Sequence, residues 1–341
     1  MTEIVILMSS FIISLILVKI TKYLSISYGI HDIPNGRKIH KERIPTMGGL
    51  AIFSTIWIVM FGLDIAGIVI FEEIMFKIFA VSIAFLIVGM IDDIVGLSAK
   101  FKFIVQMSSG VAFFFWINNN TIVLFHDILL SNLILAFFFL FFFTFMSNSI
   151  NFTDGMDGLC AGISIIYSIT LFIIAQNTGC IYAAYLLIAQ IGALFGFIMF
   201  NFYPAKIFMG DTGSLFLGSI FSMITIILIY FRPDSVFVFI MIFTYLIIDV
   251  TLAVIRRLIM HKNIFKADKL HIHHIIDNLL GRQKITVFII YLINAIFAIL
   301  GILYYYTGQM YLTVIYLIFA AAVFLYFFIS ILRRTGQHDS Q

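Results

Sequence analysis

The stretch "MTEIVILMSSFIISLILVKI" (residues 1–20) carries a single charge, Glu3, before Lys19. A helix that crosses a bilayer needs roughly 17–25 predominantly apolar residues, and this run meets that length. It has no basic leading segment, and no small-x-small cleavage pattern follows. It therefore reads as a retained first span and not as a removable signal peptide. The pattern recurs down the chain. Apolar runs lie near 4–20, 48–66, 74–91, 101–117, 128–147, 160–176, 181–200, 214–231, 235–254, 285–305 and 310–332, which makes about eleven spans by hydropathy. A membrane barrel would instead show runs of roughly ten residues with alternating polarity. The expected fold is an all-α polytopic membrane protein, a single integral membrane domain over 1–341.

Composition agrees. Charged residues make up 11% of the chain and apolar ones 62%, whereas soluble domains carry about 25% charged residues. No soluble core absorbs that much apolar surface. No internal repeat stands out, and the run "FFFLFFFTF" (137–145) reads as lipid-facing surface. Cys160 and Cys180 fall on opposite sides in the topology below, so they are expected to be unpaired, small apolar packers.

Orientation follows from the basic residues. Of the 20 lysines and arginines, all but Lys77 and Arg232 fall in alternate connections, chiefly 21–47 and 255–284. That side is read as cytoplasmic, with the N-terminus outside and the C-terminus inside. Asp92, Asp93, Asp154, Asp157, Asp211 and the histidines of "HIHH" (271–274) sort to the same side. A transporter more often places such groups near the midplane, on broken helices. A membrane scaffold would leave them without a use.

Four stretches carry chemistry. "GMIDDIVGLSAKFKFIVQ" (89–106) puts two adjacent acids at the end of a span, where a carboxylate costs several kcal/mol if buried centrally. Paired carboxylates suit a hard cation or a general base, and Lys100 and Lys102 behind them suit an anion. "NSINFTDGMDGLCAG" (148–162) repeats Asn148, Asn151, Asp154 and Asp157 every three residues, a step that keeps them on roughly one helical face. Gly155 and Gly158 permit a close approach there. "PAKIFMGDTGSLFLG" (204–218) sets Asp211 just before an apolar run. Thr212 or Ser214 is a candidate cap for that helix, whose first amides would face phosphate. In "HIHH" His271 and His274 are expected to share a helix face, with His273 pointing elsewhere. Zinc and structural polar packing are two readings of the cluster; phosphate contact is the third, favoured by Lys266, Lys269, Arg282 and Lys284 around it. Asparagines, carboxylates, lysines and imidazoles on one face suit metal-assisted phosphoryl transfer, in which catalysis is mainly positioning and charge neutralisation.

These motifs, with "DIPNGRKIHKERIPTMGG" (32–49), occur in the order and spacing of a known family. The chain resembles the polyprenyl-phosphate N-acetylhexosamine-1-phosphate transferases, which are related to the phospho-MurNAc-pentapeptide translocase. The resemblance covers most of the chain. "KADKLHIHH" (266–274) is similar to the bacterial undecaprenyl-phosphate GlcNAc-1-phosphate transferase branch, whereas the pentapeptide branch shows three consecutive histidines where Ile272 interrupts them here.

The resemblance implies a cytoplasm-facing cleft in the bacterial inner membrane. It implies transfer of a sugar-1-phosphate from a UDP-N-acetylhexosamine, most simply UDP-GlcNAc, to undecaprenyl phosphate with release of UMP. This would be the first membrane step of a cell-envelope polysaccharide such as lipopolysaccharide or teichoic acid. Mg²⁺ or Mn²⁺ would assist; membrane lipids are partners, nucleic acid is not, and a homodimer is compatible with it. By the same resemblance Asn151 and Asp211 are the metal ligands. Asp92 and Asp93 face the acceptor phosphate and metal, and Asp154 is a further catalytic residue. Lys100 and Lys102 meet the acceptor phosphate, Asn148, Gly155 and Asp157 the nucleotide, and Phe208 stacks on the base. His271, His273 and His274 meet the pyrophosphate.

Overall fold

The computed structural model describes residues 1–32, 43–69, 71–118, 128–260 and 271–338. Most of the "DIPNGRKIHKER" stretch, together with Lys266 and Lys269, lies outside the described residues. The helices group into two compact units, Met1–Asp234 and Ser235–Gln341.

The first unit holds α1 (Thr2–Ser27), α2 (Gly48–Ile65), α3 (Glu73–Val95), α4 (Ala99–Asn118), α5 (Ile128–Thr153), α6 (Leu159–Thr178), α7 (Ile181–Asn201) and α8 (Gly210–Phe231). The helix α8 is its axis. Every residue from Thr212 to Ile229 is buried, as expected of a helix apolar on all faces. It packs against α2, α3, α5 and α6. The crossing with α3 is close: a Cβ on Gly89 would come within 2.5 Å of the backbone of Asp211 and Thr212. Only glycine lets α3 bring its last turn to the start of α8.

At the edge of the unit, α1 is buried along one stripe, Ile6, Ser10, Ser14, Val18, Thr21 and Ser25. Its small residues allow close approach to α7, and Ser14 Oγ donates to Ala193 O at 2.7 Å. The opposite face keeps Ile4, Met8, Ile12 and Ile16 at least half exposed. Such a surface fits a lipid solvent and not water.

One feature departs from the expected all-α fold. His31–Asp32 (β1) and Ile44–Pro45 (β2) form a two-residue antiparallel ladder, with His31 opposite Pro45 and Asp32 opposite Ile44. The chain after β2 then runs beside the start of α8. Phe208 N–H donates to Pro45 O, and Gly48 and Gly49 N–H donate to Phe208 O and Met209 O, each at 2.9 Å.

The second unit holds a 3₁₀ turn (Pro233–Ser235 at its boundary), α9 (Val236–Ile242), α10 (Thr244–Ile259), α11 (Ile272–Leu280), α12 (Gln283–Thr307) and α13 (Met310–His338). The continuous ninth span expected at 235–254 is broken: the two halves meet at 65° around Phe243. Thr244 Oγ1 donates to Ile240 O at 2.7 Å and lies 3.0 Å from Tyr316 Oη. Polar groups at a break in a membrane helix need such partners. Among the described residues nine helices are long and apolar enough to cross a bilayer, and the bent pair makes a tenth candidate. Cys160 and Cys180 are both free and buried.

Candidate active site

The start of α8 is where four elements of the first unit bring their polar residues. Gly210 takes φ +71°, a region that favours glycine. A Cβ there would also lie 2.3 Å from Asp93 Oδ2. The first amides of a helix have no partner within it. Here Asp93, at the end of α3, supplies one. Its Oδ1 accepts from Asp211 N–H at 2.9 Å, and its Oδ2 accepts from Thr212 N–H at 3.1 Å and from Thr212 Oγ1 at 2.6 Å. The cap expected from Thr212 or Ser214 thus comes from another helix. Ser214 Oγ donates to Gly210 O at 3.1 Å instead. Asp93, expected to face the acceptor phosphate, has both oxygens engaged in holding α8.

Beside this cap sits an ion-pair cluster. Lys102, in the first turn of α4, places its ammonium 3.1 Å from Asp92 Oδ2 and 2.7 Å from Asp211 Oδ2. The other oxygen of Asp92 accepts from Leu97 N–H at 2.6 Å, which ties the turn between α3 and α4. The other oxygen of Asp211 accepts from Asn151 Nδ2 at 2.9 Å, and that amide also reaches Ser214 Oγ at 2.9 Å. All three charged side chains are between 16% and 22% exposed, so their attraction is only partly screened. Two carboxylates share one ammonium.

The remaining candidate residues of the first unit differ in burial and in their partners. Asp154, past the end of α5, takes a backbone hydrogen bond from Gly210 N–H. Burial, then the like charges of Asp211 and Asp93, push its carboxyl well above the usual carboxylate range. Asp157 Oδ2 accepts from Ala205 N–H at 2.9 Å and so anchors the segment that carries Phe208. Phe208 is half-buried, while Gly155 and Lys100 are exposed. Asn148 turns to the α4 side, where its Nδ2 donates to Gln106 Oε1 at 2.7 Å and Thr144 O at 2.8 Å.

The second unit holds the histidines. His271 is not in a helix; it is the extended residue before α11. The expectation that His271 and His274 share a helix face therefore fails, because the helix begins only at Ile272. Instead the His271 and His273 rings lie parallel, 5.9 Å apart at 3°, and His273 meets His274 at 4.2 Å. His273 is buried, and neither of its ring nitrogens has a hydrogen-bond partner among the described residues. Burial, with His274 and His271 alongside, pushes its pKa down to about 3 against the opposing pull of Asp249.

Sequence reasoning missed three polar residues. Asp249 of α10 lies 2.8 Å from His271 Nδ1. Gln106 partners Asn148. Asn201 ties Gly158 to Ile207, accepting from Gly158 N–H at 3.1 Å and donating to Ile207 O at 2.9 Å. Only Asp249 had a signal, as an ionisable residue inside an apolar span, which marks a functional group by default.

A divalent cation fits the donor chemistry of the first cluster. Asp92 and Asp211 already hold one positive charge between them, and Mg²⁺ takes one or two carboxylates with phosphate and water completing its shell. Asn151 presents its amide nitrogen to Asp211, so ligation by Asn151 requires its amide to turn. Among the described residues no group of three His, Cys, Asp or Glu is gathered for a metal ion.

Comparison with known proteins places these elements. Residues 75–229, from α3 to α8, match the model of glycosyl transferase family 4. The chain is 35% identical over 304 residues to a probable undecaprenyl-phosphate N-acetylglucosaminyl 1-phosphate transferase of Bacillus subtilis, covering 86% of this chain and 83% of that protein. It is 32% identical over 306 residues to a phospho-N-acetylmuramoyl-pentapeptide-transferase of Staphylococcus saprophyticus, covering 84% and 93%. It is 33% identical over 309 residues to a protein of the same description from Borreliella burgdorferi, covering 80% and 84%.

Proposed function

The chain belongs to glycosyl transferase family 4, and from that premise we propose that it transfers an N-acetylhexosamine-1-phosphate, GlcNAc-1-phosphate in the first instance, from a UDP-sugar to undecaprenyl phosphate. The observation that carries this reading is the Asp92–Lys102–Asp211–Asn151 cluster at the start of α8. The proposed setting is the bacterial cytoplasmic membrane, with the cluster facing the cytoplasm.

The acceptor is a phosphate monoester with a second pKa of about 6, so it is mostly a dianion at neutral pH. A strong base is not required. The difficulty is to bring a dianion to an anionic pyrophosphate, and neutralised charge removes it. We assign Asp211 and Asp92, with the Asn151 amide turned, to Mg²⁺, which would supply positive charge against the donor's phosphates. Lys102 orients and neutralises the acceptor phosphate, with Lys100 nearby in sequence. An oxygen of the lipid phosphate attacks the phosphorus that carries the sugar. The bond from that phosphorus to the bridging oxygen breaks, and UMP leaves with the electron pair.

Asp93 holds the helix that presents Asp211. Asp157 holds the loop that presents Phe208 to the base, with Gly155 beside the nucleotide, while Asn148 contacts the nucleotide only if its amide leaves Gln106. Burial and the like charges of Asp211 and Asp93 push the Asp154 carboxyl upward, which opposes a further negative charge beside Asp211. Contact with phosphate is assigned to His271, His273 and His274 on their motif.

The pentapeptide reaction is the second reading, because two of the relatives bear that description. Ile272 speaks against it: its apolar side chain is buried where that branch has a histidine. The test is a panel of UDP-sugars with undecaprenyl phosphate and purified protein, read by UMP release and the mass of the lipid product. A GlcNAc-phosphate adduct is expected. Product only with UDP-MurNAc-pentapeptide would select the second reading, and no UMP release with any donor of the panel would overturn both.

A further inference from the structure

Asp249 lies on α10, within an apolar helix, and its side chain is 4% exposed. A carboxylate so placed is costly unless both oxygens are used. Both are. Oδ2 is 2.8 Å from His271 Nδ1, and Oδ1 accepts from Ile272 N–H at 2.8 Å. The second contact supplies the start of α11 with an acceptor, since His271, the residue before the helix, makes no side-chain cap of its own. An amide N–H only donates, so Oδ1 is an acceptor. If Oδ2 is unprotonated as well, the hydrogen between the two groups sits on Nδ1, and the ring's chemistry passes to Nε2.

We propose that Asp249 is a positioning residue for the histidine cluster: one carboxylate fixes the His271 ring with its hydrogen on Nδ1 and pins the first amide of α11. The consequence for transfer rests on the transferase reading above; the assignment of the ring does not. A carboxylate behind a histidine sets its tautomer and orientation in many sites, and removing it usually weakens function without removing the fold.

Asp249→Asn separates positioning from packing. The Asn oxygen can still accept from Ile272 N–H and keep α11 in place. Its NH₂ then faces Nδ1, which must become the lone-pair nitrogen, so the hydrogen moves to Nε2. A carboxylate needed only for packing tolerates this exchange.

The experiment uses the full chain in nanodiscs with ¹⁵N-labelled histidine, and His271→Gln identifies the His271 signals. The wild type is expected to show a protonated Nδ1, and D249N an unprotonated one. D249E, which keeps the carboxylate, is expected to retain the wild-type signature and serves if D249N fails to fold. The kcat for transfer is expected to fall about 10–100-fold in D249N, with the KM for the UDP-sugar less affected. In the His271→Gln background D249N is expected to add less than about a twofold loss, since the two act as one unit. An unchanged His271 spectrum in D249N, or losses that simply multiply in the double variant, would overturn the proposal. A wild type that releases no UMP with any donor defeats the transferase reading instead, and the spectrum still decides the ring assignment.

Discussion

Lys102 is shared by Asp92 and Asp211, and its removal leaves two facing carboxylates without a counter-charge. Lys102→Met should lower stability by about 1–3 kcal/mol in the absence of divalent cations. Added Mg²⁺ should recover part of that loss, as read by melting temperature. A variant whose melting temperature ignores Mg²⁺ would count against a cation site between these carboxylates. His273 provides a pH signature in the second unit. Its pKa of about 3 in the folded state lies below the ordinary value of about 6.5. Between those values the unfolded chain binds a proton that the folded chain does not, so stability falls as the pH drops through that window. At pH 5 the expected loss is about 2 kcal/mol. His273→Gln should flatten the melting temperature between pH 7 and pH 5, and an equally steep profile in the variant would contradict the assignment. The site's residue types were legible because aspartates, asparagines and histidines stand out in an oily chain. Their partners were not: Asp93 serves α8 across 118 positions of sequence, and no local pattern reports such a contact.

Among the helices, α8 depends most on how it begins. Three donors converge on Asp93 and one glycine makes room for it. Gly210→Ala puts a Cβ against that carboxylate at a φ that alanine resists. It should reduce turnover at least about tenfold, since a misplacement of about 1 Å can cost a hundredfold, and it should lower the melting temperature as well. Asp93→Ala should cost about 1–2 kcal/mol through the lost cap, visible as a lower melting temperature. Near-normal turnover in Gly210→Ala would show that α8 does not need this start. The long apolar helices were readable from hydropathy because the bilayer sets their length. The break between α9 and α10 and the nine-residue helix α11 were not. The first has no proline or glycine at Phe243, and the second is too short to show periodicity above its charged surroundings.

For the whole molecule, the sequence reading of about eleven spans compares with nine helices of spanning length and one bent pair among the described residues. The reading also sets an orientation that can be tested. Cys180, a natural choice for labelling, is buried, so an exposed neighbour serves better. In a background lacking Cys160 and Cys180, Asn177→Cys should react with an impermeant thiol reagent in intact cells, and Ser98→Cys should not. The reverse pattern would place the cluster on the outer side, away from cytoplasmic nucleotide-sugars. Sugar-1-phosphate transfer is proposed to rest on Asp211, Asp92, Asn151 and Lys102. Its most direct measurement is UMP release from UDP-GlcNAc and undecaprenyl phosphate by purified wild type and Asp211→Asn across a Mg²⁺ titration. The expected result is Mg²⁺-dependent UMP release by the wild type and none above background by Asp211→Asn at any Mg²⁺ concentration. Near-wild-type release by Asp211→Asn at low Mg²⁺ would contradict it.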